Sequence, residues 1–174
     1  GHTTQVLLEQ QKLLAKLADI ETSARGFAIT GDSAFLTPFE TARTGAPQAI
    51  LTLRQLTTDH PEQQKRLDTL ESVTADQIRF NSQIVELRAT QGADIAAALI
   101  RTGQSKIVMD HARALTAEME REENRILALR AARRREDQLI AYLVIGVGGG
   151  LAFLLSLIIN RSIRRDVIER GADR

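Results

Sequence analysis

From Leu139 to Ile159 the chain reads LIAYLVIGVGGGLAFLLSLII, 21 residues without a charge. A helix of roughly that length crosses the ~30 Å hydrocarbon core of a bilayer. The competing role, a buried core helix of a soluble protein, needs apolar neighbours on every side, and a chain of 174 residues with so polar a remainder cannot supply them. The run is therefore read as a transmembrane helix. It divides the chain into a domain of residues 3–138, the span 139–159, and a short segment 160–174 on the other side.

Outside that run the chain is rich in Ala, Leu, Gln, Glu, Arg and Thr, most of them good helix formers, and only 3% of its residues are aromatic. An all-α domain follows. The absence of cysteine removes disulfides and thiolate metal sites. A net charge of +1 offers no concentrated basic face for nucleic acid. Gly1 and His2 read as the remnant of processing or cloning, so an upstream segment is expected to be missing.

Val6, Gln10, Leu13, Leu17, Ile20, Ala24 and Phe27 recur at alternating spacings of four and three, an apolar seam along a helix from about Thr3 to Thr30. Gly31 can end that helix in the left-handed conformation, and Asp32 or Ser33 can cap the next. The second helix carries Phe35, Leu36, Phe39, Ile50, Leu53 and Leu56 and ends near Thr58, with a kink or short break expected at Thr44 to Ala46 from Pro47. Pro61 starts a third helix that runs to about Gln91, with Leu67, Leu70, Val73, Ile78, Ile84, Val85 and Leu87 roughly on one face. Asp94 can cap a short piece, Ile95 to Arg101. From Gln104 no proline or glycine intervenes before Gly146, so a fourth long helix, with a seam of Val108, Ala112, Leu115, Met119, Glu122, Ile126 and Leu129, is expected to run into the membrane.

Helices of similar length with short connections predict an antiparallel up-down-up-down four-helix bundle whose last helix continues into the transmembrane helix. An extended dimeric coiled coil is the competing arrangement, disfavoured by the turn signals at Gly31, Pro61 and Gly92 to Gly103. No nucleophile elbow, phosphate loop, zinc spacing or nucleotide motif is present, so no catalytic, cofactor-binding or metal residue is assigned and no cofactor is expected. His60 and His111 lack a second ligand at metal spacing.

The run Glu21-Thr22-Ser23-Ala24-Arg25-Gly26-Phe27-Ala28-Ile29-Thr30-Gly31-Asp32, then Phe35-Leu36 and Pro38-Phe39-Glu40, resembles the signature of the CHASE type-three sensor domain. Lys106, Met109-Asp110, Arg113, the pair Glu122-Glu123, Leu127 and Arg130 extend the likeness, which covers about residues 3–135. The resemblance implies an extracytoplasmic four-helix sensor set between two membrane helices in bacterial histidine kinases, diguanylate cyclases and chemoreceptor-like proteins. Gly45 and Pro47 depart from a helix that the family usually keeps regular, and the family's first membrane helix is not in this sequence.

In an antiparallel bundle with its far turns at Gly31 and Gly103, Arg25 is level with Asp110 and Glu21 with Arg113. Opposite charges at matched levels suggest interhelical contacts that set register more than they add stability. The plainer alternative pairs Arg25 with Glu21 one turn earlier on the same face, worth about 0.3 to 0.5 kcal/mol. Glu122 on the fourth seam is either a sensing group, a polar layer facing a symmetry mate, or a sign that the seam turns toward solvent.

In the apolar run, Gly146 and Gly150 stand four apart, a small-residue face suited to close packing against a second helix, or else a flexible joint. Arg130, Arg133, Arg134 and Arg135 before the span nearly balance Arg161, Arg164 and Arg165 after it, so charge does not orient it. The resemblance places residues 1–138 outside a bacterial inner membrane and 160–174 in the cytoplasm. The expectation is a homodimeric receptor that passes a stimulus, its ligand unknown, along the fourth helix to a covalently linked output domain beyond this chain. A membrane-tethered spacer that senses nothing is the alternative; a carrier of small molecules would need a cavity that the seams do not suggest.

Overall fold

The computed structural model describes residues 2–129, 131 and 145. The apolar run 139–159, with Gly146 and Gly150, lies outside the described residues except for Ile145. Among the described residues no helix is long and apolar enough to cross a membrane. Two compact units divide at Arg125/Ile126. The first contains all the packing described below.

That unit is all helical. Helix α1 (His2–Thr30) is followed by a single 3-10 turn (Ser33–Phe35), then α2 (Leu36–Leu56), α3 (Pro61–Gln91), the short α4 (Ala93–Arg101) and α5 (residues 104–125). No strand occurs among the described residues. The seam read on α1 is the face it buries: Val6, Leu13, Leu17, Ile20 and Ala24 are fully inaccessible. Against it α2 presents Phe39, Ala42, Ala46, Ala49, Ile50 and Leu53, all buried. The α1–α2 interface is therefore apolar, with alanines that let the two backbones approach.

The expected break in α2 is absent. The helix runs unbroken through Pro47, because one lost backbone donor costs less than the helix gains by burying Ala46, Ala49 and Ile50 on the common core. The helix also ends at Leu56 rather than near Thr58; Thr57 closes it with its amide on the carbonyls of Arg54 and Leu53. The capping role expected of Asp94 falls instead to Gly92, at φ +93, which leaves Asp94 in the first turn of α4.

α3 and α5 meet through a different kind of face. On α3 the buried positions Gln63, Leu67, Leu70, Thr74, Gln77, Asn81 and Ile84 alternate in spacings of four and three. On α5 Ser105, Met109, Ala112, Thr116, Met119 and Glu123 follow the same rhythm, with Val108 buried beside them. Side-chain bonds from Gln63 to the Met119 carbonyl and from Gln77 to Ser105 show the two helices to be antiparallel.

Candidate functional site

The reversal after α1 is held by its own sequence. Gly31 has φ +71 and donates its amide to the Phe27 carbonyl at 2.8 Å. Thr30 Oγ1 donates to the Gly26 carbonyl and accepts from the Asp32 amide, at 2.7 and 3.1 Å. Asp32 Oδ1 then accepts from the Ala34 amide at 2.8 Å and caps the 3-10 turn. Arg88, from the last turn of α3, brings its guanidinium over Gly31: a Cβ there would stand 2.5 Å from Nη2.

The four charges singled out as interhelical contacts are paired along their own helices. Arg25 Nη2 is 2.7 Å from Glu21 Oε1, one turn earlier on α1. Asp110 is bound by Lys106 and, at 3.2 Å, by Arg113 Nη1, both on α5. No salt bridge joins Arg25 to Asp110 or Glu21 to Arg113. The reason is exposure: Asp110 and Arg113 lie on the outer face of α5, beyond the buried positions that turn toward α3. The hydrogen bond from Lys106, ahead of that from Arg113, lowers the carboxyl pKa of Asp110.

The buried carboxylate of α5 is not Glu122. Glu122 turns outward and is gripped by Arg125 through two bonds of 2.7 and 2.8 Å, which hold its pKa low. Glu123 is the buried one, 2% exposed. It accepts a single hydrogen bond, from Gln63 Nε2 at 3.3 Å, and has no salt-bridge partner among the described residues. Reading the α5 rhythm from Ser105 instead of Val108 would have found it.

Two polar layers thus join α3 to α5. In one, Gln63 Nε2 also reaches the Met119 carbonyl at 3.1 Å. In the other, Ser105 Oγ accepts from Gln77 Nε2 and Asn81 Nδ2 at 3.1 and 3.3 Å, and Asn81 Nδ2 further donates to the Gln77 carbonyl at 2.8 Å. Gln63, Gln77 and Asn81 are at most 1% exposed, and the side-chain oxygen of each is buried without a donor. Buried polar pairs specify register more than they stabilise.

Surface hollows are shallow. One of about 120 Å³, lined by His60, Pro61, Glu62, Gln63 and Glu122, opens beside the Gln63 layer. Among the described residues no three His, Asp or Glu side chains gather at metal-binding distances.

A search of curated proteins gives no match. Among solved structures the chain is similar to the sensor domain of the histidine kinase HK9 from Rhodopseudomonas palustris, with 22% identity and a TM-score of 0.68 over 72% of this chain and 98% of that one. At that identity the likeness is one of fold. The family model described as CHASE3 domain matches residues 1–133. With a helical core of that fold and a family match over most of its length, this chain belongs to the CHASE3 family of sensor domains.

Proposed function

We propose that this chain is the signal-input and transmission part of a bacterial membrane receptor. In this reading residues 3–138 form an up-down-up-down four-helix bundle outside the inner membrane, 139–159 span it, and 160–174 open a cytoplasmic signalling helix. A stimulus favours one of two arrangements of the bundle. The helix that begins at Gln104 carries the difference across the membrane to a linked histidine kinase or diguanylate cyclase. The working unit is a homodimer, with Gly146 and Gly150 giving each span a small-residue face for its twin.

The observation that carries the reading is a sensor-family match ending at residue 133, followed within a few residues by 21 uncharged ones. Disulfide crosslinking along the helix from Gln104, in the full-length receptor and with output activity as readout, tests it. Crosslinks in different registers are expected to raise or lower output. If output is the same in every register, the chain is a spacer and the relay reading fails.

A further inference from the structure

The Gln63 and Ser105 layers hold α3 and α5 in one register, and near the first of them an open hollow of about 400 Å³ lies between the two helices. It is lined by Arg66 of α3 and by Glu118, Arg121, Glu122 and Arg125 of α5, so three guanidinium groups meet two carboxylates. One of the three is fully matched: Arg125 grips Glu122 through two bonds of 2.7 and 2.8 Å. Arg66 Nε stands 3.9 Å from Glu118, beyond hydrogen-bond length, and its Nη1 is buried with no partner among the described residues. Arg121 donates from Nε to the Ala117 carbonyl one turn earlier and makes no salt bridge among the described residues. Positive charge therefore prevails in the hollow. Hydrogen bonds from Arg125 lower the carboxyl pKa of Glu122, and the charges of Arg125, Arg66 and His60 add to the effect.

We infer that this hollow is a binding site for a small oxyanion, a phosphate or a dicarboxylate, held between Arg66 and Arg121. A guanidinium presents a planar fork of N–H donors that fits two oxygens of such a group. Glu118 marks the position. Its exposed carboxylate already approaches Arg66 without bonding to it, and the incoming oxyanion takes its place. Arg66 and Arg121 come from two helices whose register is already set by the Gln63 and Ser105 layers, so little ordering is lost when the anion bridges them. That the oxyanion is the receptor's stimulus rests on the relay reading above; that it binds does not.

The test uses the whole chain in micelles of an uncharged detergent, dodecyl maltoside. Nuclear magnetic resonance follows the guanidinium Nε–H signals while sodium phosphate, or in a second series sodium succinate, replaces sodium chloride at constant ionic strength. With at least one of the two anions the signals of Arg66 and Arg121 are expected to move together and saturate, while Arg79, paired with Asp76 outside the hollow, stays in place. Arg121→Gln, at an exposed position, is expected to weaken binding read at Arg66 by about tenfold, the loss of one charge-assisted hydrogen bond. Glu118→Gln removes the competing carboxylate and is expected to tighten it. Should Arg121→Gln lose its helical circular dichroism, Arg121→Lys, which keeps the charge without the planar fork, replaces it with the same expectation of weaker binding. Shifts that grow without saturating, equal shifts at Arg79, or binding unchanged by the Arg121 replacement overturn the site. If the anion binds while the output of the full-length receptor ignores it, the site stands and its role as stimulus falls. If output follows crosslink register and neither anion binds, the relay stands and the site falls.

Discussion

Phe35 lays its ring on the bare backbone of Gly26: a methyl group added at residue 26 would stand 2.4 Å from Cδ1 and Cε1 of that ring. The glycine of the arginine-glycine-aromatic run thus serves as the seat for an aromatic nine residues later, across the reversal. Gly26→Ala gains helix propensity of about 1 kcal/mol but forces the ring off its seat, at a cost of roughly 1 to 3 kcal/mol. Thermal melts of Gly26→Ala, Phe35→Ala and the double variant are expected to be non-additive, the glycine replacement becoming harmless or stabilising once the ring is gone. Additive losses would show that the contact does not matter.

Gly31 and Gly103 both lie in the left-handed region, at φ +71 and +72, yet only Gly31 has a neighbour within reach of an added Cβ. Alanine at either position costs about 1 to 2 kcal/mol of backbone strain. Gly31→Ala additionally displaces the Arg88 guanidinium. Denaturant titration is expected to rank Gly31→Ala as the more damaging of the two, and Arg88→Ala is expected to reduce the gap.

Arg54 ties α2 to α3, its Nη2 lying 2.7 Å from both Asp68 Oδ1 and Glu71 Oε2. The hydrogen bonds that Arg54 donates to Glu71 and then to Asp68 raise the guanidinium pKa. The carboxylates are largely exposed, so Arg54→Met is expected to cost only roughly 0.5 to 1 kcal/mol. The loss should shrink as salt is raised in parallel melts of the two proteins.

Glu123 places a carboxylate in the core with one hydrogen bond and no salt-bridge partner among the described residues. Glu123→Gln keeps an acceptor for Gln63 and removes the desolvated charge, so it is expected to raise stability by on the order of 1 kcal/mol at pH 7. Glu122→Gln, which only loosens an exposed grip on Arg125, should lower it slightly. Urea unfolding of the two single variants decides, and the same sign for both would contradict the burial pattern.

The carboxyl of Asp110 is held below the usual aspartate range by Lys106 and then Arg113. A carboxylate with a depressed folded pKa contributes stability above its unfolded pKa and loses it as pH falls through the folded one. Asp110→Asn should therefore melt below the parent protein above about pH 5, and the difference should close toward about pH 2. A difference independent of pH would mean that the carboxylate is not what Lys106 holds.

The α1 seam was legible because it is built from large apolar side chains at heptad spacing, and any partner must bury that stripe. The α5 seam misled for the converse reason. Val108, Ala112 and Met119 of the expected seam are buried and Leu115 packs against the core, but Glu122 turns outward and Ser105, Thr116 and Glu123 turn inward as well. In a stripe where alanine, serine and threonine share the work, hydrophobicity hardly distinguishes two neighbouring phases. The rotation of α5 is then chosen by what α3 offers opposite, here the amides of Gln63, Gln77 and Asn81. Pro47 marks the same limit within a single element, since burial of the alanines around it keeps α2 intact.

By itself the sequence determined the all-helical class, the reversal at Gly31 and Asp32, and the charge-free run from Leu139 to Ile159. Each depends on local chemistry: helix propensity, a positive φ that glycine accepts, and length measured against a bilayer. Only the tertiary structure decided that Arg25 pairs with Glu21 and not with Asp110, and that Glu123 and not Glu122 is buried. Adjacent residues on a helix point about 100° apart, so which of two neighbouring carboxylates meets Gln63 depends on how the packed helices are turned toward one another.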